Sequence, residues 1–374
     1  MGAIEVSDAF HSGNGELLDR SGDELRLTIR PDVGDKHLQW FHFRVTGAKG
    51  RRLRWRLTNA SKASYPRGWS GYAACASYDR EHWFRVPTRY EGGELIVEHA
   101  VTHDAVWYAY FAPYDEERHQ RLVGAMQARP GVSLSSLGQT PDGRSMDLLA
   151  FGNPEGPPCW IIARQHPGET MAEHLVEGLL HRLLDPADAL AASLLTKARF
   201  FVVPNMNPDG SARGHLRTNA AGTNLNRAWA KPSMEASPEV FLVRQAMDDH
   251  GCRFCLDVHG DEALPYNFIA GADGVAELPK AIHALRHRYE EVLEAASPAF
   301  QREHGYPKAA PGEANLKMAT NQLAKRFGAL SMTLEQPFKD DANHPDPEAG
   351  WSPAKCRALG RAQLDALAAV VDHL

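Results

Sequence analysis

The chain has 374 residues, of which 43% are hydrophobic and 24% charged, the composition of an ordinary soluble globular protein. No apolar run is long enough to cross a bilayer. The net charge of −6, from 41 basic and 47 acidic residues, favours solubility and disfavours nucleic acid as a partner. The length suggests two domains. The opening stretch MGAIEVSDAFHSGNGE has neither the basic nor the apolar segment of a secretory leader, so the expected compartment is the cytoplasm, with no membrane anchor. Gly2 is followed by Ser7, one position too late for the N-myristoylation pattern. Five cysteines (Cys75, Cys159, Cys252, Cys255, Cys356) are too few and too scattered for a disulfide framework. Cys252 and Cys255 form a CxxC, but without a second pair this is a poor zinc site.

Taken in chain order, the first third reads as β-structure. HLQWFHFRV, from His37 to Val45, alternates, with Phe41, Phe43 and Val45 on one face and Trp40, His42 and Arg44 on the other. RRLRWRLTNA sets Leu53, Trp55 and Leu57 against Arg52, Arg54 and Arg56, which reads as a solvated strand face rather than a basic patch. ELIVEHAV and AVWYAYFAPY add two more strands. Short alternating runs broken by Gly, Pro, Asn and Asp predict an antiparallel β-sandwich.

The texture changes near Tyr114. A helix is expected over residues 114–129, and strands and helices then alternate. CWIIARQ, ARFFVVP, FCLDVHG and GALSMTLEQPF read as buried strands. TMAEHLVEGLLHRLLD, PEVFLVRQAMDDHG and the closing segment from Ser352 read as helices. The expected fold class is α/β: a doubly wound, mainly parallel or mixed sheet over residues 116–374, preceded by the sandwich domain over 1–115.

In open α/β folds ligands sit beyond the carboxyl ends of the strands. Four of these strands end in polar residues: His166 and Glu169, then Asn205, Asn207 and Asp209, then His259, then Glu335. Each alone has a bland reading as a turn, cap or solvated residue. Together, two imidazoles and a carboxylate make a three-ligand zinc site with an open fourth position. A second carboxylate must then do the proton work, and Glu335 is the candidate. The Arg- and Asn-rich stretch RGHLRTNAAGTNLNRAW suits recognition of a carboxylate.

HPGE, NMNPDG, NLNRAW, DVHGD and TLEQP resemble, in order, the signature of zinc carboxypeptidases of the carboxypeptidase A type. With the β-rich N-terminal third they resemble the cytosolic carboxypeptidase branch in particular. The resemblance implies that His166, Glu169 and His259 bind one Zn2+ per chain and that Glu335 is the general base and acid. It implies that Asn226 and Arg227 grip the substrate's terminal carboxylate while Arg217 polarises the scissile carbonyl. The implied reaction removes a C-terminal amino acid, typically glutamate, from a peptide or protein. The mobile tyrosine common in the family has no evident counterpart: either Tyr306 fills that place from a shifted loop or the role is unfilled. Lys317 reads as an exposed lysine or a residue of a substrate-side loop, and Asp257 as a neighbour of the metal ligands or a plain strand residue. Asp261 and Glu262 put negative charge beside the site and disfavour acidic substrates. A deacylase of N-acyl amino acids would use the same ligand set, and a zinc-keeping binding module would lack the base. The sequence is silent on oligomeric state.

Overall fold

The computed structural model describes residues 3–374; Gly2, the residue weighed for acylation, lies outside them. Ten strands build two facing five-stranded sheets: β1 (Glu5–Ser7), β2 (Glu16–Ser21), β3 (Glu24–Thr28), β4 (His42–Thr46), β5 (Arg52–Leu57), β6 (Ala74–Ser77), β7 (Trp83–Val86), β8 (Thr88–Glu91), β9 (Glu94–Ala100) and β10 (Ala105–Ala109). The orders are β1-β4-β10-β6-β7 and β2-β3-β5-β9-β8. Phe41, Phe43, Val45, Leu53, Trp55 and Leu57 fill the space between the sheets, as their alternation predicts. Their rings pack edge-on, with Phe43 and Trp55 at 5.2 Å between centroids. The arginine face of β5 is solvated and paired: Arg54 lies 3.2 Å from Glu24 and Arg56 3.3 Å from Glu94.

Two features differ from the simple sandwich. The pair β3–β5 is parallel, because the chain crosses to β4 in the opposite sheet before returning. Trp40 and His42, on the expected outer face, are also buried. A neighbouring segment covers them: Trp40 Nε1 donates to the Ser12 carbonyl at 2.8 Å, and Ser12 Oγ meets His42 Nδ1 at 2.9 Å. The 37–45 stretch enters β4 only at His42.

The remaining chain forms one seven-stranded sheet: β11 (Ser133–Gln139), β12 (Ser145–Gly152), β13 (Pro158–Ala163), β14 (Arg199–Val203), β15 (Phe254–Val258), β16 (Phe268–Gly271) and β17 (Leu330–Glu335). Its order is β11-β12-β14-β13-β15-β17-β16. The four central strands are parallel, β12 and β16 run against them on either side, and β11 pairs antiparallel with β12 at the edge, so the sheet is mixed. Every residue of β15 and β17 is buried, as expected of strands covered on both faces. Helices α1 (Glu116–Gln127), α2 (Met171–Leu183), α3 (Ala189–Lys197), α4 (Pro208–Arg213), α5 (Pro238–His250), α6 (Lys280–Ala296), α7 (Ala319–Phe327) and α8 (Pro353–Ala368) connect or cover these strands. Asp115 caps α1 by accepting from Arg118 N at 2.9 Å, where the sequence changes texture. Among the described residues no helix is long and apolar enough to cross a membrane.

Register sets the site. Ala163 of β13 pairs with Val258 of β15, and Val258 with Leu334 of β17. The carboxyl ends of three adjacent parallel strands therefore lie abreast, and the residues just past them meet. The sandwich docks beside this edge: Tyr110 stacks on Phe338 at 4.5 Å, and the Arg85 guanidinium donates to the carbonyls of Phe338, Ala349 and Trp351.

Candidate metal centre and cleft

His166, Glu169 and His259 are buried and converge, with one donor atom from each inside a 4.8 Å span. His166 Nδ1 lies 2.6 Å from Glu169 Oε1, and His259 Nδ1 2.7 Å from Glu169 Oε2. The two Nδ1 atoms are 3.2 Å apart. The outer nitrogens are already engaged: Asp257 Oδ1 lies 3.0 Å from His259 Nε2, and Asn224 Oδ1 3.1 Å from His166 Nε2. Both inner nitrogens and both Glu169 oxygens thus face one point, an electron-rich cluster that a cation reconciles. Imidazole nitrogen and carboxylate oxygen are the donors zinc takes, and imidazoles backed by a carboxylate and an amide are the usual supports of such ligands. The residues present fit a zinc ion.

The electrostatics agree. Burial, then the Arg217 charge, pushes His166 down to about 3, leaving it neutral and able to ligate. Burial opposes charge on His259, yet Asp257 and Glu169 hold its pKa well above the ordinary value. A metal bound here would displace that proton, so its uptake would be coupled to proton release. Glu169 stays ionised, since the two histidines outweigh its burial.

Asp257 is therefore a support of the cluster and not a plain strand residue. Its other oxygen accepts from Gln165 Nε2 at 2.7 Å, and Gln165 Oε1 accepts from Trp229 Nε1 at 2.8 Å. Gln165 and Asn224 were not singled out from the sequence, although both stand inside motifs quoted above. Asn205, Asn207 and Asp209 do not join the cluster. Asn207 caps α4 and ties Asn207 Nδ2 to the Gln165 carbonyl at 3.0 Å, while Asp209 holds Thr140 and Arg144.

Glu335 ends β17, buried, with Oε2 lacking a hydrogen-bond partner among the described residues. Burial, reinforced by the charges of Glu169, Asp261 and Asp257 and opposed by His259, pushes it up to about 8. A carboxyl group that titrates near neutrality suits proton transfer in both directions.

Arg217 and Arg227 lie on the polar loop expected to recognise a carboxylate. Neither makes an ion pair among the described residues. Desolvation, then the Arg217 charge, lowers the pKa of Arg227, so the two guanidiniums lie near enough to sense each other. Arg227 Nη1 donates to the Asn226 carbonyl at 2.7 Å, and Asn226 Oδ1 accepts from Ala319 N at 2.9 Å at the start of α7. Tyr306 sits on the irregular 301–318 segment, exposed, its hydroxyl donating to Asp261 Oδ2 at 2.6 Å. The Lys317 side chain is exposed, and its backbone carbonyl accepts from Trp229 N at 3.1 Å. All five cysteines are free and buried, and burial raises the Cys252 and Cys255 thiols, so the CxxC carries no reactive thiolate.

Behind the HPGE turn lies a buried polar network. Arg164 adopts φ +59°, a conformation rare outside glycine, held by Nε on the Pro167 carbonyl at 2.9 Å and Nη1 on the Tyr114 carbonyl at 2.8 Å. Its guanidinium also bonds Glu173, which reaches His119 Nδ1 at 2.9 Å; His119 Nε2 meets Asp147 at 3.2 Å. Burial alone would lower the His119 pKa, but Asp147 and Glu173 raise it to about 9. A raised folded-state value stabilises fully below the unfolded value near 6.5 and is lost as pH climbs through 9. Melting temperature should therefore fall by roughly 3 °C between pH 6.5 and 9.5, a fall that His119→Gln abolishes, as a calorimetric pH series would read.

Residues 6–111 match the family described as the cytosolic carboxypeptidase N-terminal domain, and residues 120–271 match the zinc carboxypeptidase family. The chain is similar to a metallo-carboxypeptidase from Burkholderia cenocepacia, at 44% identity over all of both chains with a TM-score of 0.97. It is similar to a metallo-carboxypeptidase from Pseudomonas aeruginosa in complex with (2-guanidinoethylmercapto)succinic acid, at 45% identity over 98% of this chain and 99% of that one, with a TM-score of 0.96. Cytosolic carboxypeptidase 6 of Caenorhabditis elegans is 27% identical over 72% of this chain and 65% of its own length. With the metal-type cluster at the ends of parallel strands and full-length likeness to metallo-carboxypeptidases, the chain belongs to the zinc carboxypeptidase family and carries that family's cytosolic type of N-terminal domain.

Proposed function

We propose that this hydrolase removes single amino acids from the C-terminus of peptides or proteins, in the cytoplasm, with one zinc ion held by His166, Glu169 and His259. The observation that carries the reading is the unpartnered, buried Oε2 of Glu335 beside that three-residue cluster. Zinc, when bound, acidifies water and polarises a carbonyl oxygen. Glu335 takes the proton from the attacking water and returns it to the departing amine. Arg227 and Asn226 orient the substrate's terminal carboxylate; the pinning of Asn226 Oδ1 by Ala319 N leaves the Asn226 amide NH2 as donor. Arg217 supplies positive charge where the oxyanion develops. The catalytic unit is residues 116–374, preceded by the sandwich domain, whose described residues are 3–115.

Selection of glutamate at the terminus is the finer part of this reading. A second carboxylate would draw on the field of Arg217 and Arg227, with Asp261 opposing it. Glu262, expected from the sequence to add negative charge, is buried, and burial raises its pKa well above the ordinary carboxylate value, so it opposes an acidic group little. The complexed P. aeruginosa relative binds a molecule with both carboxylates and a guanidinium, so both glutamate and arginine belong in the test. Peptides differing only in the C-terminal residue are incubated with the zinc-loaded protein and the products read by mass spectrometry. Single-residue loss is expected, and amidation of the terminal carboxylate should lower kcat/KM by at least about 100-fold, since the guanidiniums are then left unpaired. Release of acyl groups from N-acyl amino acids with no loss from any peptide would replace this reading with the deacylase.

A further inference from the structure

We propose that Asp32 and Tyr65, both of the sandwich domain, are positioning residues for Arg217, so that the sandwich completes the cleft and is not merely attached to it. This rests on the reading of Arg217 as the group that stabilises the oxyanion. Asp32 stands in the loop between β3 and β4, buried to 2% exposure. Its carboxylate reaches across to the catalytic domain and accepts four hydrogen bonds from three consecutive residues. Oδ1 takes Leu216 N at 2.6 Å; Oδ2 takes Arg217 N at 2.8 Å, Thr218 N at 2.8 Å and Thr218 Oγ1 at 3.1 Å. Asp32 thus holds the backbone of Arg217 and of both its neighbours.

The other end of Arg217 is held from the same domain. Its guanidinium carbon lies 5.4 Å from the centroid of the Tyr65 ring, within the range of a cation–π contact. Among the described residues no carboxylate forms an ion pair with that guanidinium, so the ring face fixes its direction while leaving its donors free for substrate.

The loop itself is fitted to the sandwich. Val33 N donates to His215 Nε2 at 3.1 Å, and the same imidazole meets the Thr218 carbonyl through Nδ1 at 3.0 Å. Gly214, at φ +70°, and Gly222, at φ +75°, lie where an added Cβ would sit 2.8 Å from the Gly13 carbonyl oxygen and 2.7 Å from that of Gly34. Backbone runs against backbone at both ends of the Arg217 loop, and the two glycines permit that approach. An arginine that acts on charge developing only in the transition state must be placed to within fractions of an ångström, and a misplacement of about 1 Å costs on the order of 100-fold.

A double-mutant cycle in the zinc-loaded, full-length protein tests this, with the best peptide from the C-terminal panel as substrate. Asp32→Asn sets an amide NH2 against backbone N–H donors. It should lower kcat by about 30-fold while KM changes less than about threefold, because the loss falls on the transition state. In an Arg217→Ala background the same substitution should change kcat by less than about twofold. Tyr65→Leu should behave alike from a different element, and Tyr65→Phe, which keeps the ring face, should restore most of the loss. Equal losses with and without Arg217, or a lowered melting temperature with kcat per zinc-loaded chain unchanged, would overturn the proposal and leave the role of Arg217 standing. Full activity in Arg217→Ala alone would remove both.

Discussion

Glu335→Gln should keep a full complement of zinc and lose turnover by roughly three orders of magnitude. The substitution preserves shape and hydrogen-bonding size but removes the group that accepts and returns a proton. Glu335 is not among the cluster donors, so metal affinity should be untouched. Its pKa, pushed up to about 8 by burial and by Glu169, Asp261 and Asp257, is that of the metal-free cleft; a divalent cation nearby favours the ionised form. In the metal-loaded enzyme the acidic limb of the kcat/KM profile should therefore lie below 8, and this limb should vanish in the residual activity of Glu335→Gln. Metal content by atomic absorption and kcat on the best peptide would read both effects. A variant with full zinc and wild-type turnover would exclude Glu335 from the proton transfers.

His166→Ala should abolish stable zinc binding. Removing only a supporting group behind a ligand typically costs about 10–100-fold in metal affinity, and removing the ligand itself costs more. The geometry sharpens the expectation, since Glu169 would be left facing His259 alone, 2.7 Å from its Nδ1. That pair is satisfied by a single proton and has little need of a cation. Zinc should fall below about one-tenth of a mole per mole after dialysis, with activity falling in proportion. Wild-type zinc content in His166→Ala would place the metal elsewhere.

The convergence of the candidate ligands was legible because its pattern is written locally. His166 and Glu169 stand three apart across one turn, and each of the other polar groups closes a largely apolar strand that reads as buried. Parallel pairing then brings those ends together without further information. The sandwich was legible in β4, β5, β9 and β10, whose alternation is strong. The edge strands were not, and β11 shows why: SLSSLGQ is almost entirely exposed, so no burial pattern marks it. Helix α7 was missed because it is short and follows a Gly- and Pro-rich stretch. The parallel pair β3–β5 depends on which sheet the intervening strand joins, which no local pattern states. Asp32 illustrates the largest gap: an aspartate before Val-Gly looks like a turn residue, and its four donors lie on a segment 184 to 186 positions away. Such groups are set by the docking of two domains, and only the three-dimensional structure displays them.

The central claim is that the cluster of His166, Glu169 and His259 is a zinc centre that serves removal of C-terminal residues. The most direct measurement is zinc content taken together with the mass of the first peptide product, before and after removal of metal by a chelator. The account predicts one zinc per chain, a product shorter by its last residue, loss of that product in the chelated protein, and its return on adding zinc. Cleavage that persists undiminished in metal-free protein, or a first product cut anywhere but at the C-terminus, would contradict it.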